Sequence, residues 1–539
     1  MAKKEFKAES KRLLELMIHS IYTHKEIFLR ELLSNASDAI DKLSYRSLTD
    51  EGVGLSRGDF AITVTPDAEK RTLTVSDNGI GMSREELEEN LGVIANSGTF
   101  RFRQELNPEK AGDTDVIGQF GVGFYSAFMV ADHITVISKK YGEEQAYRWE
   151  SSGADGYTVD PCEKETVGTD IILHLRDDGD EPDEYSQYLR EGTLARLVKK
   201  YSDYIRFPIR MEMTHSRRKE GSPDDKPEFE DVREWETVNS MVPLWQRKKS
   251  DVKREEYDKF YQERFGDMTP PQSVVTVSAE GAVTYQALLF IPSQAPGLYY
   301  TEDYEPGLQL YSSGVMIMDK CADLLPDYLS FVRGVVDSPD LSLNISRELL
   351  QHDRQLKIIS ANLEKKLRAE LERMLRDDRE GYEKFWKNFG RQLKVCALNN
   401  YGAQKDKLQD LLLFYSSTEK KLVTLAEYVS RMPESQKYIY FAAGESIEAI
   451  DHMPQTEVLK DSSTEILYFT DKTDEFIADM FRTYQEKEFR SALDDEPETA
   501  DAEKKEPDEA AQPALDILPP PVYNFEKYFR KKADTCQTA

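Results

Sequence analysis

The stretch from His24 to Leu43, HKEIFLRELLSNASDAIDKL, most constrains what this chain can fold into. Its apolar residues recur at helical spacing and predict a stripe that packs against a sheet: Leu29, Leu33, Ala36, Ile40 and Leu43. A polar stripe follows the opposite side: Glu31, Asn35, Asp38 and Lys42. Solvated helix faces favour Glu, Lys and Arg, whereas the Asn, Asp and Ser residues here each cost roughly half a kcal/mol mid-helix. The sequence therefore predicts that this face holds a polar ligand rather than bulk water.

Length and charge bound the classes of function. A chain of 539 residues predicts two to four domains. A net charge of −29 argues against a nucleic-acid-binding surface, which needs a clustered basic footprint, and is typical of a cytoplasmic protein. No apolar run approaches about 18 residues, so no membrane span is expected. The cysteines form no CxxC pair and predict reduced thiols rather than disulfides or a zinc site: Cys162, Cys321, Cys396 and Cys536.

The first 213 residues read as one α/β sandwich. The segments FAITVTPD and RTLTVSDNG alternate apolar and polar residues, which predicts a hairpin that turns at Pro66-Asp67. Its second strand ends in Asp77, where the glycines of DNGIGM let a flat ligand approach the backbone closely, although an ordinary Asp-Asn-Gly turn is the alternative. Ser83 and Glu86 predict a capping box. The segments HITVISKK, AYRWESS and GTDIILHLR add strands to an antiparallel-rich sheet with helices on one face.

A second glycine-rich segment, GQFGVGF over residues 118–124, leads into a helical pattern. Bare backbone N–H groups at a helix start suit phosphate, although glycine-rich turns are also common without a ligand. The segment is neither a Walker A loop nor a Rossmann fingerprint. The polar stretch before it, residues 92–117, has the length and composition of a lid.

Four motifs match one family in order: ELLSNASDA (31–39), DNGIGM (77–82), GQFGVGFYSAF (118–128) and GTDI (168–171). Together they resemble the GHKL, or Bergerat-type, ATP-binding fold of gyrase B, heat-shock protein 90, histidine kinases and MutL. The residues of each motif most closely resemble those of heat-shock protein 90 chaperones of the bacterial HtpG type. The resemblance implies a stress-response chaperone that binds ATP and Mg²⁺, hydrolyses ATP slowly, closes a lid and remodels unfolded or partly folded client proteins.

The resemblance also implies a role for each motif residue. Glu31 would be the general base, and Asn35 would coordinate Mg²⁺. Asp77 would accept a hydrogen bond from the adenine amino group, with Gly81 and Thr169 supporting it through water. The pocket would further be lined by Asp38, Met82 and Asn90, and the phosphates would be cradled by Gly118, Gln119, Phe120, Gly121, Val122, Gly123 and Phe124. Many family members carry a lysine in the lid where this chain has Asn96, which removes one positive charge near the nucleotide.

Beyond the first domain, residues 214–240 are charged and aperiodic and predict a flexible connector. Residues 241–493 predict a middle domain: an α/β sandwich, long amphipathic helices over 355–395, and a small βαβ layer with parallel strands after Gln409. Its aromatic residues Trp245, Phe290 and Tyr311 are expected in the core. The segment NISREL resembles the family's catalytic loop, in which Arg347 would reach the γ-phosphate as an arginine finger, supported by Asn344 and Gln351.

Residues 494–539 are acidic and rich in proline and alanine, which predicts a disordered tail. We expect the resemblance to stop near Asp494, where family members continue into a dimerisation domain. The expectation is therefore a monomer, or an association that depends on ATP, in place of a constitutive homodimer. Two alternatives stay open: a DNA-directed ATPase related to MutL or gyrase B, and a module that binds nucleotide and clients with little turnover.

Overall fold

A computed structural model of the chain describes residues 24–93, 117–118, 121–153, 156–179, 184–219, 228–341, 343 and 354–493. These residues form three sheets with helices packed on them, which confirms the predicted mixed α/β class. Among the helices of these ranges, none is long and apolar enough to cross a membrane.

The first sheet has eight strands. They are β1 (Ile62–Asp67), β2 (Thr72–Asp77), β3 (Ala131–Lys139), β4 (Ala146–Ser151), β5 (Thr158–Cys162), β6 (Gly168–Leu175), β7 (Ile209–Arg218) and β8 (Phe229–Thr237). The helices of this unit are α1 (Ile27–Ser47), α2 (Arg84–Leu91) and α3 (Glu191–Tyr201), with a 3₁₀ helix over Gly123–Met129. The strand order is β5-β4-β3-β6-β2-β1-β7-β8, and all neighbours are antiparallel except β1 and β7.

Helix α1 carries the two faces that the sequence predicts. Its apolar stripe is at most 4% exposed, which confirms the predicted packing. The polar stripe is largely enclosed as well, since Glu31 is 6% and Asp38 1% exposed. The polar stripe is therefore not a solvated face. The predicted capping box is confirmed too, because Ser83 and Glu86 bond reciprocally at the start of α2.

The β1–β2 hairpin turns later than the sequence predicts. Pro66 and Asp67 are still paired, with Leu73 and Thr72 respectively, so the turn follows Asp67. The Asp67 carboxylate accepts the Lys70 N–H at 3.0 Å and so closes this turn. Pro66 is tolerated in the strand because β7 pairs only with Ile62–Val64, so no neighbour on that side needs a proline N–H.

The structure corrects the expectation of a flexible connector over residues 214–240, because two paired strands occupy much of this range. Nine consecutive pairs, from Arg210↔Thr237 to Arg218↔Phe229, join β7 and β8 within the range 209–237. The aperiodic, charged sequence concealed these strands because both have exposed faces, and β7 gains its register from the parallel pairing with β1, far away in sequence. The domain boundaries themselves stay predictions.

The second sheet has five strands: β9 (Ser273–Ala279), β10 (Tyr285–Ile291), β11 (Leu308–Ser312), β12 (Val315–Cys321) and β13 (Arg333–Asp337). Their order is β12-β11-β13-β10-β9. Helix α4 (Arg254–Phe265) precedes this sheet, and the long helices α5 (Arg354–Asp377) and α6 (Arg379–Gly402) follow it, as the amphipathic pattern predicts. Trp245, Phe290 and Tyr311 are buried, which agrees with the core position expected for them.

The third sheet has six strands: β14 (Leu413–Ser416), β15 (Leu422–Thr424), β16 (Tyr438–Ala443), β17 (Leu467–Phe469), β18 (Thr483–Tyr484) and β19 (Lys487–Ser491). The helices of this layer are α7 (Lys405–Leu408), α8 (Leu425–Arg431), α9 (Ile447–Asp451), α10 (Pro454–Asp461) and α11 (Lys472–Phe481). Strand β16 is parallel to β17 and β19, as predicted. The layer is mixed rather than wholly parallel, because β14 is antiparallel to both neighbours and β18 to β19.

Candidate nucleotide site

One row of polar side chains crosses the first sheet under helix α1. Asp77 at the end of β2 is paired with Thr169 of β6, and Thr169 is paired with Ser138 of β3. Residues paired across neighbouring strands project to the same face of a sheet, so the three side chains lie side by side. Helix α1 closes over this end of the sheet, since Ile80 N–H donates to the Ala39 carbonyl at 3.0 Å.

Asp77 is a recessed carboxylate whose pKa lies well above its ordinary value. The Gly79 N–H donates to its Oδ1 at 2.8 Å. Desolvation, the largest effect, raises the pKa of Asp77 to about 7, while hydrogen bonds from the backbone of Gly79 and Thr169 act in the opposite direction. The Asp170 charge also raises this pKa and the Lys164 charge lowers it. A ligand that donates a hydrogen bond to Asp77 would favour its ionised form.

Gly81 brings the backbone against Lys139 of β3, which is a close approach to a strand rather than the approach of a flat ligand that the motif predicts. Its φ is +66°, and a Cβ there would lie 2.0 Å from the Lys139 carbonyl oxygen. Glycine is therefore required on both conformational and steric grounds. The close approach carries Met82 to β3, where its N–H donates to Ser138 Oγ at 2.8 Å.

Ser138 is a polar residue of this site that the sequence reasoning missed. It is fully buried, and its Oγ lies 2.9 Å from Thr169 Oγ1 and 3.4 Å from the Gly168 carbonyl. The residue sits in HITVISKK, a strand pattern in which one serine at an inward position carries no motif signal. The pattern could have pointed to it only through its inward register next to Thr169.

Glu31 lies at the other end of the site and is held by its neighbour. Arg30 donates to Glu31 Oε1 from Nε at 2.9 Å and from Nη2 at 2.7 Å. Both side chains are nearly inaccessible to solvent. Gly123 opens the 3₁₀ helix directly beside them, and a Cβ at this position would lie 2.5 Å from Glu31 Oε2. The glycine segment therefore gives Glu31 the space that any other residue would fill.

Asp38 makes hydrogen bonds to the backbone that its predicted role in lining the pocket did not suggest. Its Oδ1 accepts the Ile117 N–H at 2.8 Å, and its Oδ2 accepts the Gly118 N–H at 2.7 Å. Charge-assisted bonds of this kind are short and strong. Asp38 thus ties the start of the glycine segment to α1.

Some of the remaining predicted site residues lie within the described ranges and others lie outside them. Asn35 and Met82 are half-buried, and Val122 and Phe124 are buried. The side-chain oxygen of Asn90 is buried without a hydrogen-bond partner among the described residues. Six predicted residues lie outside the described ranges: Asn96, Gln119, Phe120, Asn344, Arg347 and Gln351. Within the described ranges, no group of three or more His, Cys, Asp or Glu side chains could hold a metal ion.

The Glu31 end of the site also touches the second sheet. Arg30 Nη1 donates to the Met316 carbonyl of β12 at 3.5 Å, the upper limit for such a bond. Nearby, the Tyr204 ring lies 4.6 Å from that of Trp245 and 5.7 Å from that of Tyr311. One apolar core runs continuously through this junction. The partner of Glu31 therefore lies at the contact between the two sheets.

Comparison with known proteins agrees with this architecture. Residues 22–165 match the family model "Histidine kinase-, DNA gyrase B-, and HSP90-like ATPase". Residues 219–519, more than half of the chain, match "Hsp90 protein". This match continues past Asp494, where the sequence reasoning expected the resemblance to stop, so that expectation was wrong.

Individual relatives are close. The chain is 59% identical over 491 residues to "Chaperone protein HtpG" of Bacillus subtilis (strain 168), covering 91% of this chain and 78% of the relative. It is 55% identical over 526 residues to the protein of the same name from Clostridium botulinum (strain Langeland / NCTC 10281 / Type F), covering 96% and 83%. The Alkaliphilus metalliredigens (strain QYMF) protein of that name is 58% identical over 491 residues, covering 91% and 78%. The chain belongs to the Hsp90 family of ATP-dependent chaperones, whose ATPase is weak.

Proposed function

We propose that the row on the first sheet reads the adenine of ATP and that Glu31 is the base that activates the attacking water. The single observation that carries this proposal is the recessed Asp77 carboxylate, set beside Thr169 in the row of polar side chains. A carboxylate acceptor suits the adenine amino group. Burial then strengthens the hydrogen bond, because the surrounding dielectric is low.

The arrangement around Glu31 supports the second half of the proposal. A general base must come within hydrogen-bond reach of a water next to the γ-phosphate, and Gly123 keeps the space beside its Oε2 open. In the described arrangement Arg30 occupies Oε1. We propose that Arg30 restrains the base until nucleotide is bound. Arg347, which follows β13 in the sequence, would then act on the γ-phosphate with support from Asn344 and Gln351.

Mg²⁺ fits the donors of this site. Asn35 offers a carboxamide oxygen, one helical turn from Glu31 and close to one turn from Asp38. A single protein ligand is sufficient because Mg²⁺ takes most of its other ligands from phosphates and water. When bound, the ion would neutralise charge on the transferring phosphoryl group. The phosphates would lie over the segment from Gly118 to Phe124, which Asp38 ties to α1.

The relatives are named chaperones, and we propose that this chain likewise acts on unfolded or partly folded proteins. Lid closure and domain docking would change the surface that such clients meet. The cytoplasmic location and the monomeric or ATP-dependent assembly stay predictions from the sequence. Solution mass with and without a non-hydrolysable ATP analogue tests the predicted assembly.

The test compares ATPase rates of the full chain with those of Glu31→Gln, Glu31→Ala and Arg347→Ala. Removing a general base typically costs 10²- to 10⁴-fold, so both Glu31 variants should fall to background. Glu31→Gln should still bind ATP, because it keeps the shape of the side chain. An exposed carboxylate, Glu51, supplies a matched control, and Glu51→Gln should hydrolyse ATP at the wild-type rate.

Two outcomes would contradict the proposal. Equal rates for wild type and both Glu31 variants would remove Glu31 as the base. A rate that rises severalfold on addition of DNA would favour the DNA-directed alternative.

A further inference from the structure

Two arginines from different helices contact Met316 of β12, each at a different atom. Arg30 of α1 donates to the Met316 carbonyl. Arg264, in the last turn of α4, donates from Nη2 to the Met316 Sδ at 3.8 Å. A thioether sulfur is a weak acceptor, so the position of Arg264 depends mainly on its other contacts. Met316 is 1% exposed, so both arginines reach it inside the protein.

The other contacts of Arg264 join the second sheet to helix α3. Its Nε donates to Gln309 Oε1 of β11 at 2.8 Å, and its Nη2 donates to the Tyr311 hydroxyl of the same strand. Its Nη1 donates to the Lys199 carbonyl, in the last turn of α3, at 3.3 Å. A guanidinium has five N–H donors, which is enough for all of these partners. Arg264 therefore fastens α3 to strands β11 and β12.

Arg30 lies between the same two elements, α3 and β12. Its guanidinium carbon is 6.0 Å from the centroid of the Tyr201 ring, at the end of α3, while its Nη1 reaches Met316 of β12. Helix α3 is also tied to the start of α1, because Tyr201 and Lys200 donate to Glu26 Oε1 at 2.5 Å and 2.7 Å. The distance between α3 and β12 therefore bears directly on where the Arg30 guanidinium can lie.

The contact of Arg30 with β12 is sensitive to small displacements. Because the guanidinium is planar and rigid, its orientation toward Glu31 and its reach to Met316 are set together. The contact with the Met316 carbonyl is 3.5 Å long, the upper limit for such a bond, so a small retreat of β12 would break it. Arg30 would then be anchored at one point fewer, and its hold on Glu31 would weaken.

We propose that Arg264 is a positioning residue for ATP hydrolysis that keeps Arg30 on the base Glu31. It does so by fastening β12 to α3, which holds the Met316 carbonyl within reach of Arg30. The inference rests on the proposed roles of Glu31 and Arg30 and deepens them. It makes the basal rate of hydrolysis depend on the contact between the two sheets.

The test measures kcat and KM for ATP hydrolysis by the full chain. Arg264→Met removes the guanidinium and should free the base more often, so we expect kcat to rise by about two- to five-fold, the worth of one weak hydrogen bond, with KM unchanged. Arg264→Lys keeps the charge but loses the fork of donors and should give a smaller rise. Arg254→Met is the matched control, because Arg254 begins α4 and pairs with Asp258 of the same helix; its kcat should equal that of the wild type.

A double-mutant cycle with Arg30 separates positioning from packing. Arg30→Lys has one nitrogen in place of three and loses the fork that serves Glu31 and Met316 together, so adding Arg264→Met in this background should raise kcat no further. Mere loss of packing would lower kcat, and would do so in both backgrounds. If Arg264→Met folds poorly, Tyr311→Phe removes one of the acceptors that fix Arg264 and should raise kcat by a smaller factor.

The outcomes distinguish this inference from the function on which it rests. A Glu31→Gln variant that hydrolyses ATP at the wild-type rate would overturn the proposed function. If Glu31→Gln is inactive but Arg264→Met and Tyr311→Phe show a wild-type or lower kcat, the role of Arg264 is refuted while Glu31 stands as the base. A rise of equal size in the Arg30→Lys background would also refute it, because Arg264 would then act by another route.

Discussion

Burial raises the pKa of Asp77 to about 7, so near neutral pH about half of the molecules without nucleotide carry a neutral carboxyl at this position. The proposed contact with the adenine amino group favours the ionised form, because only then is every lone pair of the carboxylate an acceptor. Protons and nucleotide therefore compete. ATP affinity should fall as the pH drops below about 7 and reach a plateau above about 8.

The size of this effect follows from the pKa. One pH unit below the pKa, about ten of eleven molecules are protonated, so the affinity at pH 6 should be about tenfold weaker than at the plateau, or about 1.4 kcal/mol. The assay is a titration of ATP binding between pH 5.5 and about 8.5 by calorimetry. Asp77→Asn retains an oxygen acceptor and cannot titrate, so its profile reports the ionisation of the nucleotide alone.

Two neighbouring charges supply a matched pair of variants with opposite signs. Asp170 raises the pKa of Asp77 and Lys164 lowers it. The two side chains form a salt bridge with each other. Asp170→Asn should therefore move the midpoint of the binding profile to lower pH, and Lys164→Met should move it to higher pH. A profile that matches that of Asp77→Asn, or midpoints that both variants leave in place, would refute the reasoning.

The same pKa predicts the opposite trend for stability without nucleotide. The folded pKa lies above the ordinary value of 3.8, so the folded state holds the proton more tightly than the unfolded state between about pH 4 and 7. Raising the pH through this window should cost up to about 4 kcal/mol, an upper bound because Asp77 keeps some contact with solvent. Urea unfolding of wild type against Asp77→Asn should show this slope in the wild type alone.

Substitutions at three further positions test individual contacts. Gly123→Ala would place a Cβ 2.5 Å from Glu31 Oε2, so we expect an ATPase rate lower by about 10²-fold with ATP binding largely retained; an unchanged rate would show that Glu31 does not need this space. Arg30→Met leaves the buried Glu31 charge without its closest partner and should lower the free energy of unfolding by about 3 kcal/mol, whereas Arg30→Lys should lower it less. Asp38→Asn loses one of two acceptors for the N–H groups of Ile117 and Gly118, and amide exchange at these two positions should accelerate; protection equal to wild type would contradict the contact.

The sequence predicted the parts of the fold whose pattern is local. The apolar stripe of α1, the capping box at Ser83 and the strands around Asp77 each depend on residues within a few positions of one another. The charged hairpin β7–β8 was missed because its register comes from β1, more than a hundred residues earlier. The antiparallel pairing of β14 with β17 was missed for a similar reason, since strand direction depends on the path of the chain and not on local alternation.

In the site, too, local motifs were predicted and contacts between distant residues were not. Motifs pointed to Glu31, Asp77 and Thr169, and the structure gathers Asp77 and Thr169 into one row. The sequence did not reveal that Arg30 holds Glu31 and reaches the Met316 carbonyl, because the Met316 contact joins helix α1 to a strand of the second sheet. Ser138 was invisible for a different reason: a buried serine in a strand is common, and only its partners give it a role.

The row of Asp77, Thr169 and Ser138 also offers a practical handle on the integrity of the folded protein. Each of the three strands contributes one side chain at the same level, and a slip of one residue in any strand would turn its contribution to the opposite face. Retention on immobilised adenine nucleotide would therefore report correct strand register directly. Such a column would separate native molecules from misregistered ones that have the same mass, charge and content of secondary structure.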